Sequence, residues 1–152
     1  MQLSQKCQYA LRAIFEVAKL SGQGPVKIDA IAKAQAIPPR FLAAILNQLK
    51  HGGFVQSRRG SDGGYFLARS AESLSVGEII RFIEGPMGPV ICVSNEDNGS
   101  CPLLGKCVFM SMWKEAQQAM DNVYDNTTFQ DLVEREAQMA EQDRQPASMY
   151  CI

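Results

Sequence analysis

Residues 39–67 read PRFLAAILNQLKHGGFVQSRRGSDGGYFL, an amphipathic helix followed by two short apolar segments. The helix is predicted from Pro39 to Lys50, because its apolar residues recur at helical spacing and proline is tolerated in a first turn. A pair of glycines then ends it. Phe54–Ser57 and Tyr65–Leu67 are predicted to be strands, since the glycines between them permit a hairpin bend.

Two further elements precede this helix. Ser4 is a predicted N-cap for a first helix that ends before the glycines and proline of residues 21–25. Val26–Ile28 is a short extended segment, and Asp29 is the predicted N-cap of a short helix, Ala30–Gln35. Two short helices with a tight break between them are typical of a helix-turn-helix, and the hairpin adds a wing. The predicted fold class is mainly α with a small β-hairpin wing, a winged helix-turn-helix domain plus one long helix.

The second half of the chain contains further helices separated by loops. Ser75 and Glu78 form a predicted capping box for a fourth helix. Past a linker and a polar loop, a long amphipathic helix is predicted over Leu104–Tyr124, and Thr128 with Asp131 predicts the cap of one more short helix. The predicted organisation is a DNA-binding domain over residues 1–85, a linker and cysteine loop over 86–107, the long and short helices over 104–133, and a mobile tail over 134–152.

Charge divides the chain into a basic and an acidic half. Residues 1–70 contain ten Lys and Arg against three acids, whereas the remaining residues contain five against thirteen. Such asymmetry indicates that only the first half meets a polyanion. Chance clustering of solvated charge is the alternative, so the basic half must also have a nucleic-acid-binding architecture.

The predicted recognition helix and wing carry the side chains suited to DNA. Arg40 is the best candidate for reading a base, because a guanidinium binds guanine bidentately. Arg58 and Arg59 on the wing suit a minor groove, whereas Lys6, Lys33 and Lys50 suit phosphates. The full predicted DNA-binding set is Lys6, Tyr9, Pro39, Arg40, Phe41, Ala43, Asn47, Gln48, Lys50, Arg58, Arg59 and Gly60.

Three of the five cysteines fall within one short loop. Cys92, Cys101 and Cys107 are spaced C-x8-C-x5-C, while Cys7 and Cys151 lie far from them in sequence. Thiolates are soft ligands that suit iron–sulfur clusters or zinc. Structural zinc sites usually contain a closely spaced cysteine pair, which this loop lacks. Free thiols in a loop are the plainer interpretation.

Taken together, these residues resemble the IscR-like family of bacterial winged-helix regulators. The resemblance spans about residues 1–133. It is carried by Leu3, Lys6, Tyr9-Ala10, Gly24-Pro25-Val26, Ile31, Phe41-Leu42, Leu49, Gly53, Val55, Arg59-Gly60, Gly63-Gly64-Tyr65, Val76-Gly77-Glu78-Ile79, Glu84-Gly85-Pro86, the three loop cysteines and Trp113.

The resemblance implies a homodimer formed through the Leu104–Tyr124 helix, with each winged helix reading half of a palindromic operator in double-stranded DNA. It also implies an iron–sulfur cluster, 2Fe–2S or 4Fe–4S, on Cys92, Cys101 and Cys107. Cluster state would then control operator affinity, making the protein a repressor that senses iron–sulfur, iron, nitrosative or redox status.

The sequence departs from this family at the fourth ligand and in the recognition helix. Met110 stands where the founding member has histidine, and Gln8 stands where other members have an acidic ligand. We hypothesise that Cys7, beside Gln8, or a small exogenous ligand completes the site. Ala43 replaces a glutamate of the founding member, which leaves the operator sequence undefined.

Two other functional classes are a cluster-free regulator and an enzyme. A cluster-free regulator of cysteine or sulfur metabolism would sense by thiol oxidation or through a partner protein, and the tail Met149–Ile152 resembles such relatives. An enzyme is disfavoured because the chain has a single histidine, no nucleophile–base pair and no phosphate-cradling loop. With neither a secretory leader nor a membrane span visible, the expected location is cytoplasmic.

Overall fold

The computed structural model describes residues 2–94 and 101–144, which are mainly helical with one antiparallel hairpin, as predicted. None of the described helices is long and apolar enough to cross a bilayer. The elements in chain order are α1 (Gln5–Lys19), α2 (Ile28–Gln35), α3 (Pro39–His51), β1 (Val55–Arg58), β2 (Gly64–Leu67), a 3₁₀ turn (Ala71–Ser73), α4 (Val76–Glu84), α5 (Ile91–Ser94), α6 (Met110–Asp125) and α7 (Phe129–Arg144).

Helix α1 is the centre of the core. The Ser4 side chain accepts a hydrogen bond from the Cys7 amide, which confirms the predicted N-cap. Ala10, Ile14 and Val17 are buried and recur at helical spacing. The helix contacts α2, α3, α4 and α7, so it joins the helix-turn-helix to the later helices.

Helices α2 and α3 form the helix-turn-helix. α2 begins at Ile28 with Lys27 as its N-cap, so the prediction that Asp29 caps this helix was wrong. Asp29 instead lies in the first turn, where its carboxylate interacts favourably with the positive end of the helix dipole. The turn passes through Ala36, whose left-handed backbone (φ 49°) ends α2.

The wing is the hairpin of β1 and β2. The two predicted strands form this antiparallel hairpin, in which Val55 pairs with Leu67 and Arg58 pairs with Gly64. Val26 bridges Tyr65 through two backbone hydrogen bonds of 2.8 Å, which fixes the wing to the start of α2. A Cβ on Gly64 would lie 2.5 Å from the Val26 carbonyl oxygen, so this close approach requires glycine.

Helix α6 begins later than predicted. The prediction placed its start at Leu104, whereas the first helical residue is Met110. Residues 101–109 form turns, in which the Leu104 amide donates to the Cys101 carbonyl at 3.1 Å. Gly105 adopts a positive φ of 78°, which breaks helical continuity at that point.

Helix α7 is longer and more central than predicted. Thr128 and Asp131 cap it reciprocally, as expected: the Thr128 amide donates to Asp131 Oδ2 at 2.8 Å, and the Asp131 amide donates to Thr128 Oγ1 at 3.1 Å. The helix continues to Arg144, so residues 134–144 are helical rather than the predicted tail, whose remainder, with Cys151, lies outside the described residues. Phe129 is fully buried in the core beside α1, so the chain returns to the N-terminal helices after α6.

Candidate functional site

One face of α3 is free of core contacts and is available to DNA. Leu42, Ile45, Leu46 and Leu49 are buried, which turns the intervening residues outward. The predicted contacts on this helix are all exposed except Gln48, which is half-buried: Pro39, Arg40, Phe41, Ala43, Asn47, Gln48 and Lys50. The exposed face matches the geometry of a recognition helix whose N-terminal residues approach base edges.

Arg40 and Phe41 form the exposed start of α3. The Arg40 guanidinium carbon lies 4.6 Å from the centre of the Phe41 ring, within cation–π distance. Phe41 itself is 47% exposed. The aromatic face therefore holds the guanidinium at the N-terminal end of the recognition helix, where base contacts are usually made.

Residues of α1 extend this face. Lys6 and Tyr9 line a groove of about 610 Å³ together with Phe41 and Gln48 of α3. The structure thus brings four predicted DNA-binding residues onto one continuous surface, although they come from two helices. Gln5, Ala44 and Ile45 complete the lining, and the sequence patterns did not single out Gln5 or Ala44.

The wing lies beside the recognition helix and is coupled to it. Arg58, Arg59 and Gly60 are exposed at the base of the hairpin turn. The Lys50 ammonium donates a hydrogen bond of 2.7 Å to the Ser57 hydroxyl of β1. Lys50 therefore has a structural partner as well as a predicted phosphate role, and no sequence pattern signalled this contact between a helix end and a strand.

The cysteine segment lies between α4 and α6. Cys92 is in α5, Cys101 and Cys107 lie in the turns before α6, and all three are half-buried free thiols. This donor chemistry suits a soft metal or an iron–sulfur cluster. Within residues 2–94 and 101–144, however, no three Cys, His, Asp or Glu side chains lie close enough to hold a metal ion. The donor types therefore fit a cluster, whereas their described positions do not assemble its site.

Cys7 has a different environment from the loop cysteines. Its side chain is fully buried in α1. Burial raises the pKa of the Cys7 thiol to about 11, and the negative charge of Glu84 and a hydrogen bond to its carboxylate contribute further. Cys7 has no exposed surface in the described chain, and this packing, rather than the pKa of its thiol, disfavours Cys7 as the fourth ligand.

An apolar stripe on α6 has no partner within the described chain. Phe109, Met112 and Val123 are 56, 45 and 63% exposed, and Ala116 and Ala119 lie along the same stripe. The opposite face of α6 packs toward α4 and α5. The exposed apolar stripe is therefore separate from the face of α6 that makes the intramolecular contacts.

Comparison with known proteins places the chain in a family. The Rrf2 family model, described as an iron-dependent transcriptional regulator, matches residues 3–135. An HTH-type transcriptional regulator of Mycobacterium tuberculosis is 35% identical over 150 residues, which cover 95% of this chain and 91% of that protein.

Two solved structures are similar along nearly their whole length. CymR, the global cysteine regulator of Bacillus subtilis, has a TM-score of 0.73 at 32% identity, covering 89% of this chain and 98% of that one. IscR of T. potens has a TM-score of 0.72 at 28% identity, covering 97% and 94%. The named relatives are transcriptional regulators, not enzymes, which agrees with the prediction. The chain therefore belongs to the Rrf2 family and is a DNA-binding transcriptional regulator with a winged helix-turn-helix fold.

Proposed function

We propose that this protein acts in the cytoplasm as a homodimeric repressor whose operator affinity depends on an iron–sulfur cluster bound by Cys92, Cys101 and Cys107. The observation that carries the DNA-binding part is the exposed surface formed by α1, α3 and the wing. Lys6, Arg40, Arg58 and Arg59 supply its positive charge. Lys and Arg on such a surface neutralise phosphates and read bases.

The dimer is supported by the unpartnered stripe on α6. Apolar side chains that recur along one helix face are stabilised when a second copy of the same face covers them. A symmetric pair of recognition helices would then meet a palindromic operator in two half-sites. In this arrangement residues 1–85 and α7 form the DNA-binding unit, and α6 forms the interface.

The cluster is supported by the three partly exposed thiols and by the similarity to IscR. The fraction of protein that holds an iron–sulfur cluster would depend on the iron supply and on oxidants. The residues of this chain would have to bring their thiolates together ahead of α6. Because the cysteine segment directly precedes α6, that movement would shift α6. A shift of the interface helix would in turn change the distance between the two recognition helices of the dimer.

The fourth ligand is not Cys7 in this proposal. Its buried, protonated thiol supports a structural role, so a small exogenous ligand is the remaining candidate from the sequence analysis. Replacing Cys7 with alanine should therefore leave the cluster absorption unchanged, whereas Cys92→Ala should abolish it. Loss of the cluster spectrum in Cys7→Ala protein that is still folded would restore Cys7 as a ligand.

The test is anaerobic cluster reconstitution followed by selection of binding sequences from random DNA duplexes. We expect a palindromic consensus, and different affinities for the cluster-bound and cluster-free proteins. Arg59→Ala should weaken binding roughly 10-fold or more, in line with a lost groove contact. Arg135→Ala, an exposed charge on α7, is the matched control and should bind as the wild type does. Equal affinity of both forms for every duplex would contradict the switch.

A cluster-free regulator is the second candidate. It is favoured by the separation of the three thiols in the described structure and by the similarity to CymR, the global cysteine regulator. In this case oxidation of the exposed thiols or binding of a partner protein would change DNA affinity. Protein purified without oxygen would then be colourless, and peroxide would alter DNA binding by the wild type but not by the Cys92→Ala, Cys101→Ala, Cys107→Ala triple variant.

A further inference from the structure

An aromatic side chain is exposed on the DNA-binding face, at the start of the recognition helix. Phe41 is 47% exposed, and with Ala44 and the half-buried Tyr9 it gives the groove between α1 and α3 an apolar wall. Among the described residues that line this groove, Lys6 carries the only charge. The surface that meets DNA is therefore apolar as well as basic.

The edges of the bases offer one apolar group to such a surface. Thymine presents a 5-methyl group in the major groove, whereas the remaining positions are hydrogen-bond donors and acceptors. A phenylalanine ring forms no ordinary hydrogen bond, so polar base edges that it covered would lose their water without gaining a partner. The exposed Phe41 ring is therefore complementary to a 5-methyl pyrimidine.

The residues that follow Phe41 favour close approach to the bases. Ala43 and Ala44 are exposed, and their side chains end at Cβ. Phe41 and Ala44 are three residues apart, so they are neighbours on one face of the helix. α3 contains no Asp or Glu, the side chains that accept a hydrogen bond from cytosine. Base contacts of this helix must therefore come from its cations, its amides and this apolar surface.

Arg40 fixes the position of the methyl group relative to a guanine. Its guanidinium carbon lies 4.6 Å from the centre of the Phe41 ring. Neighbouring base pairs are roughly 3.4 Å apart along the DNA axis, and second neighbours are roughly 7 Å apart. Two groups this close reach the same base pair or adjacent ones. Because an unmodified G·C pair has no methyl group, the methyl group belongs to the base pair beside the guanine.

We propose that Arg40 and Phe41 together read two adjacent base pairs in each half-site: Arg40 binds a guanine, and Phe41 with Ala44 packs against the 5-methyl group of the neighbouring pyrimidine. The ring also holds the guanidinium, so Phe41 contacts the methyl group directly and is a positioning residue for the guanine contact. Thymine and 5-methylcytosine carry the same methyl group. The inference rests on the DNA-binding part of the proposed function, and neither on the iron–sulfur cluster nor on its switch.

The test uses the full-length wild-type protein and the operator consensus selected from random duplexes. Each thymine of one half-site is replaced in turn by 2′-deoxyuridine, which lacks only the methyl group. We expect one replacement to weaken binding about fourfold, the usual effect of leaving one methyl group unburied. This thymine should lie beside the guanine whose readout is lost in Arg40→Ala.

A cycle of protein and DNA changes assigns the methyl contact to Phe41. In Phe41→Ala the same deoxyuridine replacement should cause no further loss of affinity, and discrimination at the guanine should fall because the guanidinium loses its support. Phe82→Ala, at an aromatic residue that is 37% exposed on α4, is the matched control and should keep the full methyl effect. Each result compares two duplexes bound by one protein, so a change in the stability of a folded variant does not alter it.

Further duplexes distinguish the two sources of the methyl group. Cytosine and 5-methylcytosine, each paired with guanine, replace the responsive thymine. Binding of 5-methylcytosine as tight as that of thymine would identify methylated DNA as a target, whereas weaker binding would identify thymine itself.

The inference and the proposed function fail in different ways. Affinities that ignore the 5-methyl group on the pyrimidines beside that guanine, or a methyl effect that persists in Phe41→Ala, would overturn the inference. Equal affinity of the cluster-bound and cluster-free proteins would contradict the proposed switch, while the methyl effect would still decide the inference. Failure to bind any duplex would overturn both.

Discussion

Burial and the neighbouring Glu84 carboxylate both raise the pKa of the Cys7 thiol. Because the thiolate is the nucleophile, a pKa of about 11 should make Cys7 slow to alkylate at pH 8. Cys92, Cys101 and Cys107 are half-buried and should react first. Mass spectrometry after a short iodoacetamide pulse measures the order in which the cysteines are alkylated. Labelling of Cys7 as fast as the loop cysteines in folded protein would contradict it.

The same pKa predicts a pH dependence of stability. The folded value, about 11, lies above the ordinary value of 9.0, so the contribution of Cys7 is present below pH 9 and is lost as the pH rises toward 11. The loss amounts to roughly 1.4 kcal/mol of unfolding free energy per pKa unit. Urea unfolding at pH 8 and 10.5 measures how much unfolding free energy is lost between the two pH values. This loss should be smaller in Cys7→Ala than in wild type, and equal losses would contradict the raised pKa of Cys7.

Arg40 illustrates why residue type matters beyond charge on the recognition helix. Arg40→Lys retains the positive charge but loses the planar fork that binds guanine bidentately. We expect this variant to lose about 1–3 kcal/mol of discrimination at one operator position while retaining most non-specific affinity. Competition binding with single-base-pair operator variants measures this. Lys33→Arg, outside the predicted base-reading set, is the control, and a uniform loss across all operators would indicate a phosphate contact instead.

The contact between α4 and α6 depends on a glycine. A Cβ on Gly77 would lie 2.0 Å from Asp125 Oδ1, the oxygen that accepts from Arg81. Gly77→Ala should therefore push the half-exposed Asp125 carboxylate away from Arg81, and the unfolding free energy should fall by about 0.5–1 kcal/mol, the scale of an exposed ion pair. In the Gly77→Ala, Asp125→Ala double variant the clash is absent, and part of the stability should return. A loss that is additive in the double variant would show that the two residues do not interact.

The start of α7 shows how local sequence signals and long-range contacts combine. Thr128 and Asp131 cap the helix, and the backbone beside them bonds the segment before α4. Phe129 amide donates to the Leu74 carbonyl at 3.0 Å, and its ring is fully buried. The cap was predictable because its residues are three apart, whereas the burial of Phe129 depends on a contact with residues far away in sequence.

Assembly of the whole molecule is expected to depend on the exposed stripe of α6. Met112→Lys with Val123→Lys places two charges on this stripe, and burying them in an interface would be costly. We expect the double variant to be a folded monomer by analytical ultracentrifugation, with reduced operator affinity. Met139→Lys, at a residue 65% exposed on α7, is the control and should leave the dimer intact. A dimeric double variant would locate the interface elsewhere.

Most of the fold was predictable because its signals are local. The capping box of Ser75 and Glu78, the glycine-rich wing turn and the apolar spacing of α3 each lie within a few residues, and the structure contains all three. Helix limits were less accurate at α2, whose N-cap is Lys27, and at α6, which begins only at Met110 after a series of turns. The candidate DNA-binding residues were inferred from the same local signals and stay a prediction, whereas the grouping of Lys6, Tyr9, Phe41 and Gln48 around one groove depends on how α1 packs against α3.

The sequence by itself determined the winged helix-turn-helix, its basic half and the family, because helical periodicity, caps and turn residues act over short distances. Only the tertiary structure decided how distant segments meet. It buried Cys7 beside Glu84, coupled Lys50 to Ser57, returned α7 to the core through Phe129 and paired Arg81 of α4 with Asp125 of α6. Each of these contacts joins residues whose neighbours in sequence give no sign of the partner, since burial and pairing depend on packing of the whole chain.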